Sequence, residues 1–235
     1  MEQGNSVLVV GGSRGIGAET VRQLAQRGEN VTFTYNKQQR RAEAIARETE
    51  GSSCLCLDLS DTSSTDEVIK SFKQDDVKFE HVVICASGGM ERDQAADYAQ
   101  RLNNLGIVYF AKQALSHIEP GGTLLFVTSH AAHRYDVEDP HPAYVAVAKS
   151  KFDGEQNLRK LAPEFVQSSI RFLVLSGDIV VDSSTAKLLN LKDPGLIERQ
   201  LQKAKRLPTS EDMACAICDS LSSPSLESGE VVYIW

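Results

Sequence analysis

Hydrophobic runs and amphipathic segments alternate along the chain from end to end. Most of the hydrophobic runs are short, rich in Val, Ile, Leu and Phe, and free of strict alternation, a pattern typical of parallel strands covered on both faces. The predicted strands are Ser6–Val10, Val31–Tyr35, Cys54–Asp58, His81–Ala86, Thr123–Thr128, Ile170–Leu175 and Val231–Trp235. The predicted helices are Gly15–Arg27, Gln38–Glu50, Thr65–Gln74, Asp93–Ile118, Ala143–Phe165 and Ser210–Leu221.

Strands that alternate with helices predict a single α/β domain over residues 1–235, a doubly wound sheet of seven parallel strands. The linkers are short, and the sequence contains no repeat. One longer excursion, residues 180–208, follows the sixth predicted strand at its carboxyl end. Because ligands of doubly wound sheets bind outside the carboxyl ends of the strands, we interpret this excursion as a helical flap over a substrate.

The composition narrows the class of protein. Hydrophobic residues make up 41% and charged residues 24% of the 235 residues, which is the balance of a globular domain. The formal net charge of −7 argues against nucleic acid as a partner, because phosphate binding requires a basic face. No apolar run approaches the ~18 residues of a membrane helix, and the first six residues lack the basic region of a signal peptide. We therefore expect a cytoplasmic protein without nucleic-acid or membrane partners.

The five cysteines, an odd number, suit a reducing compartment better than a disulfide framework. Cys54 and Cys56 alternate, so both are expected to face one side of a buried strand. Cys215 and Cys218 have the spacing of a redox or metal motif. They lack a second ligand pair nearby and lie in a helical pattern, so we interpret them as core residues and predict no metal site.

A glycine-rich turn joins the first predicted strand to the first predicted helix. Residues 11–17 read Gly-Gly-Ser-Arg-Gly-Ile-Gly. Glycines in such a turn let the backbone approach a diphosphate closely, and the free N–H groups at a helix N-terminus favour negative charge. A glycine turn alone is weak evidence, but its position between a strand and a helix of an α/β pattern predicts a nucleotide-binding turn.

The turn resembles that of the short-chain dehydrogenase/reductase family, T-G-x-x-x-G-x-G, with Val10 in the place of the Thr. The resemblance covers essentially the whole chain and implies a Rossmann-like fold. It implies that Asp58 contacts the adenine and that Ser129 is the catalytic Ser. It also implies that Asn103 is the family's helix Asn, which holds a water of a proton relay, although an Asn there can simply support a kink.

Two further segments extend the resemblance to the rest of a cofactor site. Residues 85–88, Cys-Ala-Ser-Gly, stand where the family has N-N-A-G, and residues 176–179 resemble the family's P-G-x-I turn, which meets the nicotinamide. The cofactor-binding residues expected on this basis are Gly11, Ser13, Arg14, Gly15, Ile16, Gly17, Tyr35, Asn36, Lys37, Arg40, Asp58, Leu59, Ala86, Ser87, Gly88, Gly177 and Ile179.

The charge that follows the second predicted strand indicates which dinucleotide binds. An NAD site places a carboxylate about 20 residues beyond the glycine turn, where it holds the ribose 2′-OH. Residues 34–41 contain no acid but carry Lys37, Arg40 and Arg41, and Arg14 lies in the glycine turn itself. A basic cluster in an acidic chain favours the 2′-phosphate of NADP(H), although a solvated helix start can carry the same residues.

The family's usual catalytic signature is Tyr-x-x-x-Lys, in which the Lys lowers the pKa of the Tyr so that the Tyr acts as general acid. This chain departs from that signature, because Ala148 stands four residues after Tyr144. Lys149 lies about 140° around the helix from Tyr144, whereas Lys151, seven residues on, returns to within ~20° of the Tyr face. A Tyr-x6-Lys spacing resembles the enoyl-acyl-carrier-protein reductase branch.

Three interpretations of the catalytic group stay open. In the first, Tyr144 and Lys151 form the working pair. In the second, Lys149 takes the lysine place with Val145 in the tyrosine place, and the site is dead or rerouted. In the third, the acid comes from the long loop that precedes Tyr144, although a loop His is most often exposed and idle. The loop candidates are Tyr135, His130, His133 and His141.

The predicted activity is NADP(H)-dependent reduction of a ketone or 3-oxoacyl-type carbonyl. Ser129 would orient the carbonyl, Tyr144 donate the proton, and Lys151 lower the pKa of Tyr144 and bind the ribose. The alternatives are an enoyl-thioester reductase, which needs no Ser129, and a non-catalytic NADP-binding sensor or scaffold. The apolar residues of the flap fit a hydrophobic or acyl substrate or the flap's own core. By resemblance, the partner copies would form a homodimer or homotetramer.

Overall fold

The computed structural model of the chain describes residues 6–91, 94–204 and 206–235. The strands are β1 (Ser6–Val10), β2 (Asn30–Tyr35), β3 (Ser52–Cys56), β4 (Phe79–Ile84), β5 (Ile118–Ser129), β6 (Arg171–Gly177) and β7 (Val231–Ile234). They form one sheet in the order β3-β2-β1-β4-β5-β6-β7, in which every neighbouring pair is parallel. The prediction of a doubly wound sheet of seven parallel strands is confirmed.

Helices connect the strands on both faces of the sheet. They are α1 (Gly15–Gln26), α2 (Gln39–Glu48), α3 (Thr62–Gln74), α4 (Tyr98–Gln100), α5 (Ile107–Ala114), α6 (His130–His133), α7 (Val145–Arg159), α8 (Ala162–Gln167), α9 (Ser184–Lys192), α10 (Leu196–Ala204) and α11 (Ser210–Ser222). A π-helical turn, Arg101–Gly106, joins α4 to α5, and a 3-10 turn, Leu115–His117, follows α5.

Alternate residues of the central strands bury opposite faces of the sheet, as expected for strands covered on both sides. Phe126 of β5 belongs to one buried cluster with Phe110 of α5 and Leu158 of α7. Its neighbour Leu125 belongs to the opposite cluster with Val21 of α1. This double cover leaves the carboxyl ends of the strands as the open edge at which ligands of such sheets bind.

The predicted helix Asp93–Ile118 is wrong at both ends, although Asp93 itself lies outside the described residues. The residues before Tyr98 form a turn, in which the Tyr98 N–H donates to the Ala95 carbonyl. At the other end, the His117 ring lies 2.9 Å from the Val77 carbonyl. That contact turns the chain, and Ile118 then pairs with Phe79 as the first residue of β5.

The predicted helix Ala143–Phe165 is two helices, α7 and α8, with a break at residues 160–161. Pro163 explains the break, because a proline in the helix interior would lose a hydrogen bond and clash with the carbonyl of Arg159. The predicted strand Thr123–Thr128 begins five residues too late, because β5 starts at Ile118. The remaining predicted helices and strands lie within about three residues of the observed ones.

The cysteine predictions were partly wrong. β3 is an edge strand that begins and ends two residues earlier than predicted, and Cys56 is exposed rather than buried. On α11, Cys218 is buried as predicted, whereas Cys215 is exposed and bonds to Asp219. The predicted buried core role therefore holds for one cysteine of that pair.

The excursion 180–208 is helical in its described residues, since α9 and α10 occupy most of it. Leu189 of α9 and Leu196 of α10 pack in a third buried cluster with the first turns of α7. Among the described residues, no helix combines the length and apolarity needed to cross a membrane.

Candidate functional site

The glycine turn between β1 and α1 is held in a compact backbone conformation. The Gly11 N–H donates to Thr34 Oγ1 at 2.9 Å, and the Gly12 N–H donates to the Thr34 carbonyl at 2.9 Å. A Cβ on Gly11 would stand 2.7 Å from the Ala86 Cα, and one on Gly17 would overlap the Gly11 carbonyl oxygen. The backbone therefore packs where side chains have no room, and the first N–H groups of α1 stay available to a ligand.

A cleft of about 380 Å³ opens at this turn, along the carboxyl ends of the strands. It brings together most of the predicted cofactor residues: Gly11, Ser13, Arg14, Gly15, Ile16, Gly17, Tyr35, Asn36, Lys37, Leu59, Ala86, Ser87 and Gly88. The sequence analysis missed other lining residues, which are Thr34, Gln38, Leu57, Cys85, Met90, Glu91, Gln94, Tyr98, Leu102, Val147, Ser183, Ser184, Thr185 and Leu188. The volume suits a small-molecule ligand.

Four predicted cofactor residues lie outside the lining of this cleft. The Asp58 carboxylate caps its own loop, where it accepts from the Ser60 N–H at 2.9 Å and the Ser60 hydroxyl at 2.7 Å. Arg40 is exposed on the first turn of α2. Gly177 is the last residue of β6, and the Ile179 N–H donates to the Asp178 side chain just beyond it. The cofactor contacts of these four stay predictions.

Arg14 has an acidic neighbour that the sequence analysis missed. Its guanidinium lies 3.4 Å from the Glu91 carboxylate, which also accepts from the Gly89 N–H at 2.6 Å. Partial burial raises the pKa of Glu91, but the backbone N–H groups of Gly89 and Glu91 and the Arg14 guanidinium outweigh it and hold that pKa below its ordinary value. Among the described lining residues, Glu91 is the one carboxylate.

Asn103 lies fully buried in the π-helical turn and binds two segments of the site. Its side-chain oxygen accepts from the Gly88 N–H at 3.1 Å, and its amide nitrogen donates to the Gly88 carbonyl at 2.8 Å. The same nitrogen donates to Ser150 Oγ on α7 at 2.9 Å. A Cβ on Gly154 would overlap the Asn103 carbonyl. These contacts clamp the loop after β4 to α7, and the predicted relay water stays a prediction.

Ser129 and Tyr144 meet at the end of β5. The two hydroxyl oxygens lie 3.2 Å apart. Ser129 is also the N-cap of α6, where its Oγ accepts from the Ala132 N–H at 3.3 Å. Tyr144 occupies the N-cap position of α7, and its N–H donates to the His141 carbonyl at 2.7 Å. The structure thus brings the two predicted side chains together, and their catalytic roles stay predictions.

Tyr144 is enclosed by apolar residues. It is 9% exposed and packs in the cluster that includes Val147, Leu189 and Leu196. Burial raises the pKa of Tyr144 above its ordinary value, and the hydrogen bond with Ser129 opposes that rise. At neutral pH the phenol is therefore protonated and able to act as an acid.

The structure separates the two candidate lysines. Lys149 points to the surface, where its Nζ lies 2.6 Å from the Asp153 carboxylate, and Val145 is 38% exposed. Lys151 is 7% exposed, and burial lowers its pKa to about 8, against the opposing effects of Cys85 and Glu155. Of the two, Lys151 is the one whose ammonium is held inside the protein.

The loop candidates have other partners. Among the described contacts, His130 packs against Trp235 with ring centroids 4.2 Å apart and ring planes 55° apart. His133 hydrogen-bonds to Glu155, and His141 lies 3.3 Å from Asp193. Tyr135 packs near Phe152. The expectation of exposed histidines was wrong for His130 and His133, because the ring of His130 is buried and that of His133 nearly so. That they take no part in catalysis stays a prediction.

Comparison with known proteins identifies the family. A family model described as enoyl-(acyl carrier protein) reductase matches residues 10–233. The cyclic-di-GMP-binding biofilm dispersal mediator protein of Escherichia coli (strain K12) is 31% identical over 189 residues, which are 78% of this chain and 76% of that protein. The chain belongs to the short-chain dehydrogenase/reductase family. A short-chain dehydrogenase/reductase of Pestalotiopsis microspora is 28% identical over 57% of this chain and 54% of its own length, so the alignment spans about half of that relative.

Solved structures of short-chain dehydrogenases/reductases have the same fold. The crystal structure of BdcA in complex with NADPH superposes with a TM-score of 0.77 and 25% identity, over 99% of this chain and 93% of that one. A short chain dehydrogenase from Burkholderia cenocepacia J2315 in complex with NADP has a TM-score of 0.80 and 22% identity, over 99% of this chain and 96% of that one. The second likeness concerns the fold alone.

Proposed function

We propose that this short-chain dehydrogenase/reductase is an NADP(H)-dependent enzyme that reduces an apolar ketone or 3-oxoacyl-type carbonyl. The observation that carries the proposal is the 3.2 Å contact between the Ser129 and Tyr144 hydroxyls, in which Tyr144 packs in one cluster with Val147, a residue that lines the glycine-rich cleft. When bound, the reduced nicotinamide supplies a hydride for the carbonyl carbon. The chain itself has to bind the dinucleotide, orient the carbonyl and deliver a proton to its oxygen.

The cleft fits a phosphorylated dinucleotide. The turn around Gly11 and Gly17 is a cradle that a Cβ would fill, and it presents the α1 N-terminus to a diphosphate. Arg14 and Lys37 line the same cleft, and the end of β2 offers no carboxylate to a ribose 2′-OH. The NADPH of BdcA and the NADP of the Burkholderia protein support the same choice.

Proton delivery follows from the bonds of Ser129. Because Ser129 Oγ already accepts from the Ala132 N–H, its own hydrogen is free to donate to Tyr144 Oη or to a carbonyl oxygen. Tyr144 gives its proton to that oxygen as the carbon gains the hydride, so the product is the alcohol. The phenolate that remains is stabilised by the Ser129 hydroxyl. The help that the Lys151 charge would give stays part of the proposal, because among the described contacts none joins Lys151 to Tyr144.

The surroundings of Tyr144 indicate the substrate class. Val147, Leu189 and Leu196 pack around the phenol, and α9 and α10 close over it. An apolar acyl or alkyl group beside the carbonyl would bury hydrocarbon surface against these side chains, at roughly 25 cal/mol for each Å² removed from water. A charged substrate would lose hydration there without a partner.

Reduction of an enoyl thioester is the second candidate, favoured by the Tyr-x6-Lys spacing and by the description of the matching family model. The Ser129–Tyr144 contact favours the carbonyl, because a hydroxyl pair of this kind serves to polarise and protonate a carbonyl oxygen. The two candidates use the same cofactor cleft and differ in the bond that is reduced.

The test is NADPH oxidation against a panel of apolar ketones, 3-oxoacyl thioesters and enoyl thioesters. We expect turnover of the carbonyl compounds, and a fall in kcat of about 1000-fold for Tyr144→Phe with an unchanged Kd for NADPH, because only the proton donor is lost. Tyr135→Phe is the matched control and should keep its activity. Turnover of the enoyl compounds alone would establish the second candidate. Tight NADPH binding without oxidation would establish a non-catalytic sensor.

A further inference from the structure

The inner face of α7 carries charged residues where a buried helix face is normally apolar. Lys151, Glu155 and Arg159 are spaced four residues apart and therefore share one face. Glu155 is fully buried, and Lys151 is 7% exposed. A buried carboxylate is strongly unfavourable unless it is paired and hydrogen-bonded, so its partners define what it does.

Glu155 binds groups from two segments. His133 Nδ1, on α6, lies 2.9 Å from each of its carboxylate oxygens. Because an ionised carboxylate can only accept, Nδ1 is the protonated ring nitrogen. Arg159 Nε donates to Glu155 Oε1 at 2.9 Å, and Arg159 Nη1 donates onward to the Gly229 carbonyl at 2.9 Å. The carboxylate thus fastens α6 to α7 and, through Arg159, to the segment before β7.

Helix α6 is a single turn that connects this carboxylate to the Ser129 hydroxyl. Ser129 caps its first turn, and His133 is its last residue. Both ends of this turn are therefore bonded to side chains of α7 and its N-cap. Ser129 contacts Tyr144 at the start of the turn, and His133 contacts Glu155 at its end. A change at Glu155 would be transmitted to Ser129 through only four residues of helix.

We propose that Glu155 is a positioning residue of the Ser129–Tyr144–Lys151 group, which fixes the turn that carries Ser129 and provides the negative charge for the buried ammonium of Lys151. The inference rests on the proposed function for its effect on turnover, but its effect on Lys151 does not depend on any reaction. The charged and titratable groups described around the carboxylate are His133, Lys151 and Arg159, and Cys85 faces Lys151 from the end of β4.

The decisive measurement is the titration of Lys151 in the ligand-free protein. The ¹³Cε NMR shift of each lysine, followed through the alkaline range, gives the midpoint of each amine, and Lys151→Met assigns the signal. In Glu155→Gln, which keeps the shape but removes the charge, we expect the Lys151 midpoint to fall by about one pH unit. Lys149, which is exposed on the same helix, is the internal control. Its titration midpoint should move by no more than about a tenth of that shift.

Turnover supplies the second measurement. In Glu155→Gln, the fall of kcat at alkaline pH should begin at a lower pH, and this shift should equal that of the Lys151 midpoint. The kcat of the variant should recover when the pH is lowered. His133→Phe keeps the carboxylate and the ring that packs on Tyr233. It should leave the Lys151 midpoint in place, lower kcat about tenfold by loosening Ser129, and keep the Kd for NADPH.

The outcomes separate the two proposals. An unmoved Lys151 midpoint in a folded Glu155→Gln protein overturns the charge role, and full kcat in His133→Phe overturns the fixing of Ser129. If Glu155→Gln does not fold, the milder Glu155→Asp tests the charge role, because a carboxylate withdrawn by one methylene should lower the Lys151 midpoint by part of that shift. The kcat of His133→Phe then still tests the fixing of Ser129. If the wild type reduces no carbonyl compound, the proposed function fails while the lysine titration still decides whether Glu155 sets the charge of Lys151.

Discussion

The two walls of the site, which are the glycine turn before α1 and the inner face of α7, differ in whether backbone or side chains form them. The glycine turn before α1 is made of backbone, because its close contacts join Gly11, Gly17 and Ala86 and leave no room for side chains. The inner face of α7 is made of side chains, because the function proposed for it depends on where Tyr144 and Lys151 point and on which charges surround them. The glycines of the first wall stand within residues 11–17, although Gly11 packs against Ala86 from the loop after β4. The second wall joins Ser129 at the end of β5 to Tyr144 at the start of α7.

The difference has an energetic consequence. Backbone N–H groups at a helix N-terminus carry a fixed partial charge that needs no counterion and does not titrate. A buried lysine beside a buried carboxylate depends on mutual attraction to offset lost hydration, so removal of one partner exposes the full penalty of the other. We therefore expect substitutions in the glycine turn to act through steric overlap. Substitutions on the inner face of α7 should act through the loss of a charge.

The largest expected effect is steric. In Gly17→Ala the new Cβ would overlap the Gly11 carbonyl oxygen, so the turn must open and the diphosphate contacts are lost. Calorimetry should show NADPH binding weakened by about 100-fold, roughly 2.7 kcal/mol. Gly28→Ala, just beyond the other end of α1, is the control for a loss of stability, because nothing lies within 4 Å of its new Cβ but its φ of +85° strains any side chain. Equal binding losses in both variants would mean that the variants act through the stability of α1 rather than through the cradle.

The next effect tests the lysine register of α7. Lys151→Met should lower kcat by about 100-fold, because the charge that stabilises the Tyr144 phenolate is gone. Lys149→Met, which removes an exposed pair with Asp153 and a contact with the Tyr135 ring, should stay within about twofold of the wild type. The measurement is a comparison of the initial rates of the two variants with a carbonyl substrate. The reverse order of losses would show that the helix presents the other lysine to the site.

A smaller effect concerns cofactor choice. Arg14→Ala should weaken NADPH binding about tenfold and leave NADH nearly unchanged, since a charge-assisted phosphate contact contributes roughly 1.5–3 kcal/mol. Glu91→Gln should strengthen NADPH binding about threefold, because the carboxylate competes for the Arg14 guanidinium. Arg22→Ala, on the exposed side of α1, is the control for surface charge. Equal affinities of the wild type for NADPH and NADH would contradict the assignment.

The smallest effect concerns a buried titratable group outside both walls. Burial, and secondarily the charge of Arg171, lower the pKa of His81 to about 4. As the pH falls below the ordinary His value, the unfolded chain takes up a proton and the folded protein does not, so stability is lost progressively down to about pH 4. Urea unfolding at acidic pH should show His81→Leu to be less acid-sensitive, by on the order of 1 kcal/mol. An unchanged pH dependence would mean that His81 is hydrated in the folded protein.

The sequence by itself determined the strand count, the parallel direction of the strands and the nucleotide turn. These features depend on local chemistry, namely apolar runs too short for helices and glycines at positions where the backbone must pack against itself. Each of these features could be predicted because its signal lies in a short stretch of neighbouring residues. The pairing of Ser129 with Tyr144 was also predicted, through resemblance to a family rather than through spacing.

The tertiary structure decided the rest. Whether Lys149 or Lys151 is buried depends on how α7 lies against the sheet, and spacing from Tyr144 left both open. Glu155 gave no signal in the sequence, because a lone glutamate in a helix is ordinarily exposed. Only packing against α6 shows it to be fully enclosed, where it binds His133. Long-range charge pairs of this kind are set by the three-dimensional arrangement of elements, which no local pattern encodes.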